Sequence, residues 1–583
     1  MSSQRSKRQR AQPISEDRHY GYYPLNCFQN VWYDCFLIHH DLTGKDDKPA
    51  FEIRRSLGGV EGDLEILLQT SDNSGSASKA DGVKRYCKYG PDLQAVEQGI
   101  GESGTRRGAW VDDRNSPHLT GIGDVRLCGT WLTATGLLRY LKQGRYELKD
   151  QPDAERRLIH ISDLTPDMIH ALAATATALK IPVLQDAICK HVALRSSIRI
   201  QIPSDGFPSF QMEFHLPFFA LRSGPQSNDL PSDVSGTLLR KYEGLTLLIH
   251  DPSGSVQQED YRIYESQVSC VVHGFDEWQW TCYSFVDNRE ENDPEDEVNE
   301  DSNSQLDRAD ITYDVDDEDP ILLLLDSKKW PIWRPREYFL KAFEMQIRKF
   351  RTEWTTLVDK LEEDRTEYIR QHTFTSSDSR QGTRPAEELN TAFHWTRLRM
   401  DLVTKLQCML SGTMREWNAF ISLDGGVGYF SDLDELPLDP GRFGPAGQSL
   451  RSIKRTFGEL ENVQQSLSSL KESLARDFSM LKILLSLEGN AATENSAFIA
   501  KFTTWVLYPY FLAAGMFSMQ PTVIPFELKF RSFVISMAML MVAMFVIQYL
   551  MKRWATWKNQ ATLWMKMREL DEEKDEEAET FSA

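Results

Sequence analysis

Apolar positions alternate in short runs over the first half of the chain and recur every three or four residues over the second. In the first half, strands are predicted at Arg157–Ser162, Ser197–Ile202, Phe210–Leu216, Leu245–His250, Val268–Val272 and Trp278–Val286. There apolar and polar residues trade places with the period of two that a half-buried sheet requires. Asp163-Leu-Thr165-Pro166 starts a helix, because proline in the first turn lacks only an N–H that has no partner there. That helix runs to about Leu179, and a second covers Val183–Leu194. The stretch 70–125, rich in Gly, Ser, Asp and Arg, is predicted to be a long irregular insertion. From Arg336 onward the stripes are helical. Phe339, Phe343, Ile347, Phe350, Trp354, Leu357 and Leu361 form one, Leu389 to Ile421 a second, and Leu450 to Leu485 a near-heptad third. The helical pattern lapses around Glu488-Gly-Asn490. Two uncharged apolar runs follow, Phe502–Met519 and Phe533–Leu550. At ~1.5 Å per residue each reaches about 27 Å as a helix, roughly one bilayer core.

Composition changes this picture in three places. A net charge of −20 and a mean hydropathy of −0.45 make most of the chain water-soluble and argue against nucleic acid as a partner. The acidity is densest in 287–319, where Arg289 and Arg308 are the only cations, so that segment is predicted to be a linker. It lacks the turn glycine of a calcium loop. Cysteines at 27, 35, 87, 128, 189, 270, 282 and 408 contain no CxxC pair and fit reduced thiols. The start, Met1 to Arg10, has no apolar core for a secretory signal and is predicted to be a basic tail.

Two spans joined by a short loop form a hairpin. Lys552, Arg553, Lys558, Lys566 and Arg568 follow the second span, which puts both termini on the cytosolic side. Trp554, Trp557 and Trp564 are placed as an interfacial belt. The span methionines Met537, Met539, Met541 and Met544 have mixed spacing and suit packing rather than metal ligation. Gly99-Ile-Gly101-Glu-Ser-Gly104 has GxGxxG spacing without a strand before it or a helix after it, and is predicted to be a flexible loop. His39-His40 lack a third ligand at metal spacing, and His191 and His215 fall in regular elements. No nucleophile elbow or Walker loop occurs, so the chain is predicted not to be an enzyme.

The first span ends Pro509-Tyr-Phe-Leu-Ala-Ala-Gly515-Met-Phe-Ser518-Met519-Gln520, and the loop reads Ile524-Pro525-Phe526-Glu527-Leu528-Lys529-Phe530. This region resembles the membrane part of CorA-type magnesium transporters, in which a proline, an inner glycine and a Gly-Met-Asn triplet hold the same offsets. Here the triplet is Ser518-Met519-Gln520, and the Pro-Glu-Leu loop carries one extra residue after Pro525. Met212–Arg222, Trp278–Asp287 and Pro335–Leu340 resemble segments of fungal CorA-like proteins.

The resemblance implies an α+β membrane protein with a cytosolic α/β domain (20–286), the acidic linker (287–319), a three-helix stalk (320–501), a two-span hairpin (502–550) and a cytosolic tail (551–583). It implies a pentamer in the lipid bilayer. Ser518, Met519 and Gln520 would form the pore mouth, Pro509 and Gly515 would shape the pore helix, and Pro525 and Glu527 would lie in the outer loop. Mg²⁺ would be the transported and regulatory ion, met by the Gln520 amide through its hydration water, with no covalently bound cofactor. Two functions follow: divalent cation transport, or a non-conducting membrane-anchored interaction protein of the same fold.

Overall fold

The computed structural model describes residues 30–40, 48–69, 74–115, 124–126, 131–149, 151–204, 208–223, 239–250, 256–287, 331–371, 386–433, 444–518, 531–547, 549–550 and 553–554. The chain divides into two units, one of residues 1–380 and 399–474, the other of residues 381–398 and 475–583. The acidic segment beyond Asp287 lies outside the described residues, as does the basic tail.

The first unit is built on a nine-stranded sheet. Its strands are β1 (Arg107–Arg114), β2 (Val125–Arg126), β3 (Leu132–Thr133), β4 (Arg156–Ser162), β5 (Ser197–Gln201), β6 (Phe210–Ser223), β7 (Tyr242–His250), β8 (Val256–Gly274) and β9 (Trp280–Val286). The order is β2-β1-β4-β9-β8-β6-β5, with β3 also on β1 and β7 on β8. β4 and β9 run parallel, with Arg157 beside Thr281 and Ile159 beside Tyr283, and the other pairs are antiparallel.

β6 shows how the sheet is covered. Its apolar positions meet the long helix α9 (Pro335–Gln371): Phe214 stacks on Phe343 at 4.9 Å, and Phe218 meets Phe350 at 6.0 Å. The alternate positions Gln211, Glu213 and His215 are buried as well, on the face towards α8 (Ile181–Val192). The alternation predicts one solvated face; the structure covers both.

The 70–125 stretch differs from its expected irregularity. Short helices α1 (Ala50–Ser56) and α2 (Asp63–Leu68) precede α3 (Ser74–Cys87), α4 (Leu93–Gln98) and α5 (Glu102–Thr105), and β1 follows as a buried strand pairing along β4. Val83 and Val96 anchor this region in a core shared with α6 (Ala134–Leu141), α7 (Pro166–Thr175) and α8. Few apolar anchors are enough here, because each enters a surface that other elements have already built. The glycine motif is not a loop over a ligand. Gly99 takes a left-handed φ of +72° to end α4, and a Cβ on Gly104 would meet Gly99 O at 2.3 Å. α7 begins at Pro166 as its sequence requires.

Two further long helices follow, α10 (Ala386–Phe420) and α11 (Pro445–Phe502). In the first unit Trp417 lies flat on Phe457 at 4.2 Å, and Phe343 meets both rings edge-on. In the second, Phe393 stacks on Phe478 at 4.6 Å. α11 runs on through Glu488-Gly-Asn490 without a break, so one unfavourable glycine does not stop a helix of this length.

Candidate functional site

The expected pore helix begins where α11 ends. A π turn, Thr503–Leu507, leads into α12 (Tyr508–Phe517), so 502–517 are helical throughout. The π turn sits directly before Pro509, whose ring lacks an N–H and would clash with the carbonyl four residues back. A wider turn gives it room. Gly515 is exposed, and a Cβ there would meet nothing within 4 Å inside this chain. Nothing within the chain therefore demands a glycine at 515. Ser518 N donates to Ala514 O at 3.0 Å and Gly515 O at 3.2 Å, closing the last turn. Pro509 thus lies in the first turn of α12 and Gly515 and Ser518 at its last, whereas Met519, Gln520, Pro525 and Glu527 lie outside the described residues.

Residues 531–547 form a second helix. Tyr510 meets Phe533 edge-on at 6.1 Å, which joins the two apolar segments. Val534, Ile535, Met539, Val542, Phe545 and Ile547 are all exposed, Met539 by 72% and Val542 by 64%. At 3.6 residues per turn these positions cover more than half of the helix circumference, and the remaining arc carries the half-buried Phe533, Met537, Leu540 and Met544. Among the described residues no helix is long and apolar enough to cross a membrane. The π turn leaves α12 ten residues long, and the second helix is described over 531–547.

Two charged networks of the first unit are buried. Asp113 on β1 takes a two-pronged bond from Arg157 on β4, 2.8 Å to Nε and 2.6 Å to Nη2. Burial alone would push its carboxyl up, but the Arg157 guanidinium holds it below the usual range. Arg126 stands 4.0 Å from the same carboxylate and gives its three nitrogens to the carbonyls of Gly144, Arg145 and Pro152.

A second network lies between α8 and β8. His191 and His215 both contact Ser269 Oγ through Nδ1, at 2.9 and 2.8 Å. His191 Nε2 is 3.2 Å from Asp287, which Arg240 also grips at 2.6 Å. Glu213 carries Lys190 and Arg199. Ser269, His191 and Asp287 have the composition of a nucleophile triad, but Ser269 and His191 are fully buried. No substrate carbonyl can reach that hydroxyl, so the network ties α8, β8 and Asp287 together. The sequence signal for it was the run Gln211, Glu213, His215 on one face of β6. Among the described residues no group of three or more His, Cys, Asp or Glu side chains is placed to hold a metal ion.

No protein-family model matches the chain, and no curated protein matches it. Several solved structures are similar to it, among them the following two. The CorA magnesium transporter from Methanocaldococcus jannaschii is 11% identical, with a TM-score of 0.28, and the match covers 70% of this chain and 93% of that one. The full-length CmaX protein is 13% identical, with a TM-score of 0.27, and the match covers 76% of this chain and 98% of that one.

Proposed function

We propose that the chain is a membrane protein of CorA-like architecture that assembles as an oligomer, a pentamer in the family it resembles, and passes Mg²⁺ or a related divalent cation. The observation that carries the membrane part is that 533–547 is apolar on every face and exposed over more than half of its circumference. A helix with no polar side needs lipid or other subunits, since water solvates none of its faces well. Its partner, residues 502–517, is uncharged and carries a π turn directly before Pro509. Transport itself rests on the sequence: Pro509, Gly515 and Ser518-Met519-Gln520 at the offsets of the CorA pore helix. A ring of Gln520 amide oxygens would accept hydrogen bonds from the first water shell of Mg²⁺, which that ion sheds reluctantly. Gly515, with open space where its Cβ would be, permits close approach of a neighbouring helix.

Two measurements test these parts separately. Val542→Asp places a carboxylate near the middle of the second span and should raise the cost of insertion by about 2.5–3.5 kcal/mol. Alkaline extraction of cell membranes should then release a larger fraction of the protein, and unchanged retention would place 531–547 in a protein interior. For transport, purified protein in liposomes is expected to carry Mg²⁺ down its gradient, and Gln520→Ala to slow that flux severalfold.

A second reading is a non-conducting, membrane-anchored protein of the same architecture. It is favoured by Ser518 in place of glycine and by a loop in which Lys529 and Arg531 outnumber Glu527. Absence of flux from wild-type liposomes, with gain of flux in Ser518→Gly, Gln520→Asn, would establish it.

A further inference from the structure

The buried network between α8 and β8 has a direction that hydrogen-bonding capacity sets. Asp287 is an ionised carboxylate, gripped by Arg240 and by the Gln267 backbone N–H, so it can only accept. His191 Nε2, 3.2 Å away, therefore carries a proton. A neutral His191 then has Nδ1 as an acceptor, and Ser269 Oγ at 2.9 Å donates to it. That uses the one hydroxyl proton of Ser269. His215 Nδ1, 2.8 Å from the same oxygen, must donate in its own pair. The Gln267 amide nitrogen, 3.2 Å from Ser269 Oγ, is a donor as well and cannot take the serine proton. Every bond of the relay runs one way, and a neutral His215 is left with an unprotonated Nε2.

That nitrogen is the exception in the network. It is fully buried and has no hydrogen-bond partner, and Glu213 Oε2 stands 3.7 Å from it. A bare lone pair beside an ionised carboxylate is an arrangement that one added proton converts into a charge-assisted bond. His191 offers no such place, since its proton would enter at Nδ1, where Ser269 already donates.

The charges around His215 come from three elements. β6 supplies Glu213, α8 supplies Asp186, Lys190 and His191, and β5 supplies Arg199. Beyond Ser269 lie Asp287 and Arg240, and the Tyr86 hydroxyl of α3 donates to Leu164 O. Glu213 Oε1 carries Lys190, Arg199 and Ser197, and its Oε2 takes Gln211 at 2.8 Å. One carboxylate thus clamps α8 to β5, a strand that pairs with β6 alone. Arg199, 43% exposed, brings the cluster within one side chain of solvent.

We propose that His215 and Glu213 form a proton-binding site that loosens this clamp. A proton from solvent on His215 Nε2 draws Glu213 Oε2 towards the ring and adds a third cation to a carboxylate that already holds two. The repulsion falls on Arg199, the one of the three that water can take over. Burial holds His215 below its ordinary imidazole value, so the site fills on the acid side of neutrality. None of this involves the span residues: every group named belongs to the first unit.

The test is nitrogen-15 solid-state NMR of the full-length protein in liposomes, labelled at histidine and titrated from pH 8 to 4.5. His215→Gln and Ser269→Ala identify the signals. At pH 8 His215 is expected in the Nδ1–H form and His191 in the Nε2–H form, and His215 becomes doubly protonated at the higher pH of the two. Ser269→Ala, which removes the acceptor at Nδ1, should move the neutral His215 proton to Nε2, facing Glu213. Amide exchange over 197–201, corrected for intrinsic rate, should rise about tenfold between pH 7 and 5 in the wild type and less than about twofold in His215→Gln. The wild-type and Ser269→Ala signals carry the test should His215→Gln not fold. An Nε2–H form of neutral His215 in the wild type overturns the proposal. So does protonation of His191 first, or exchange over 197–201 that is unaffected by pH.

Discussion

Asp113→Ala is expected to destabilise the protein by about 3–5 kcal/mol, the usual cost of removing one partner from a buried ion pair. The side chain is fully buried and joins β1 to β4 through Arg157. Its loss strands two guanidiniums, Arg157 and Arg126, in an interior that cannot hydrate them. Arginine does not escape by losing its proton, so the cost appears as lost stability. The Tyr140 hydroxyl also loses its acceptor at 3.2 Å. Denaturant unfolding of the full-length protein in detergent, followed by near-ultraviolet circular dichroism, measures the change. The pair Asp113→Leu, Arg157→Met should recover part of the loss, because only Arg126 then remains without its carboxylate. A change below about 1 kcal/mol in Asp113→Ala would mean that water reaches the pair.

The protein is also expected to lose several kcal/mol of stability as pH falls from 7 towards 4. Burial pushes His191 down to about 4 and His160 down to about 3, from an ordinary imidazole value near 6.5. Around His191, Asp287 opposes that shift, while Arg240 and His215 reinforce it. Both rings stay neutral in the folded protein at pH values where the unfolded chain takes up protons. Stability therefore falls through the interval from about 6.5 to 4 for His191, and on to about 3 for His160. Asp287 adds to the same trend lower down. Burial would raise its carboxyl, but Arg240 and His191 hold it at about 2, so its contribution disappears below the ordinary aspartate value. Unfolding midpoints between pH 7.5 and 4.5 give the slope. His191→Gln, which keeps an amide beside Ser269 and Asp287, should remove up to one proton's share, about 1.4 kcal/mol per pH unit. A slope unchanged by that substitution would show that His191 titrates normally.

The elements with strong periodicity were legible from residues alone. The stripe from Phe339 to Leu361 is buried along one face of α9, and Pro166 opens α7. Three expectations gave way to tertiary context. The 70–125 stretch folds into helices and a buried strand because Val83, Val96, Ala109 and Val111 reach an existing core. α11 continues through Gly489 because propensity is a small term in a long helix. The glycines at 99 and 104 serve a tight turn into β1, which GxGxxG spacing alone does not distinguish from a phosphate loop.

The sequence by itself determined the strongly periodic helices and strands and the apolar runs, since periods of two and 3.6 are local properties of the backbone. It also marked Pro509, whose missing N–H acts within a turn of its own position, where the π turn lies. Only the tertiary structure decided which charges meet. Asp113 and Arg157 are 44 residues apart, and Asp287 and His191 are 96 apart. Partners so distant are chosen by strand order and register. The polar face of β6 is the sharpest case: its alternation reads as a surface, and the α8 side chains above it turn that surface into a buried ionic layer.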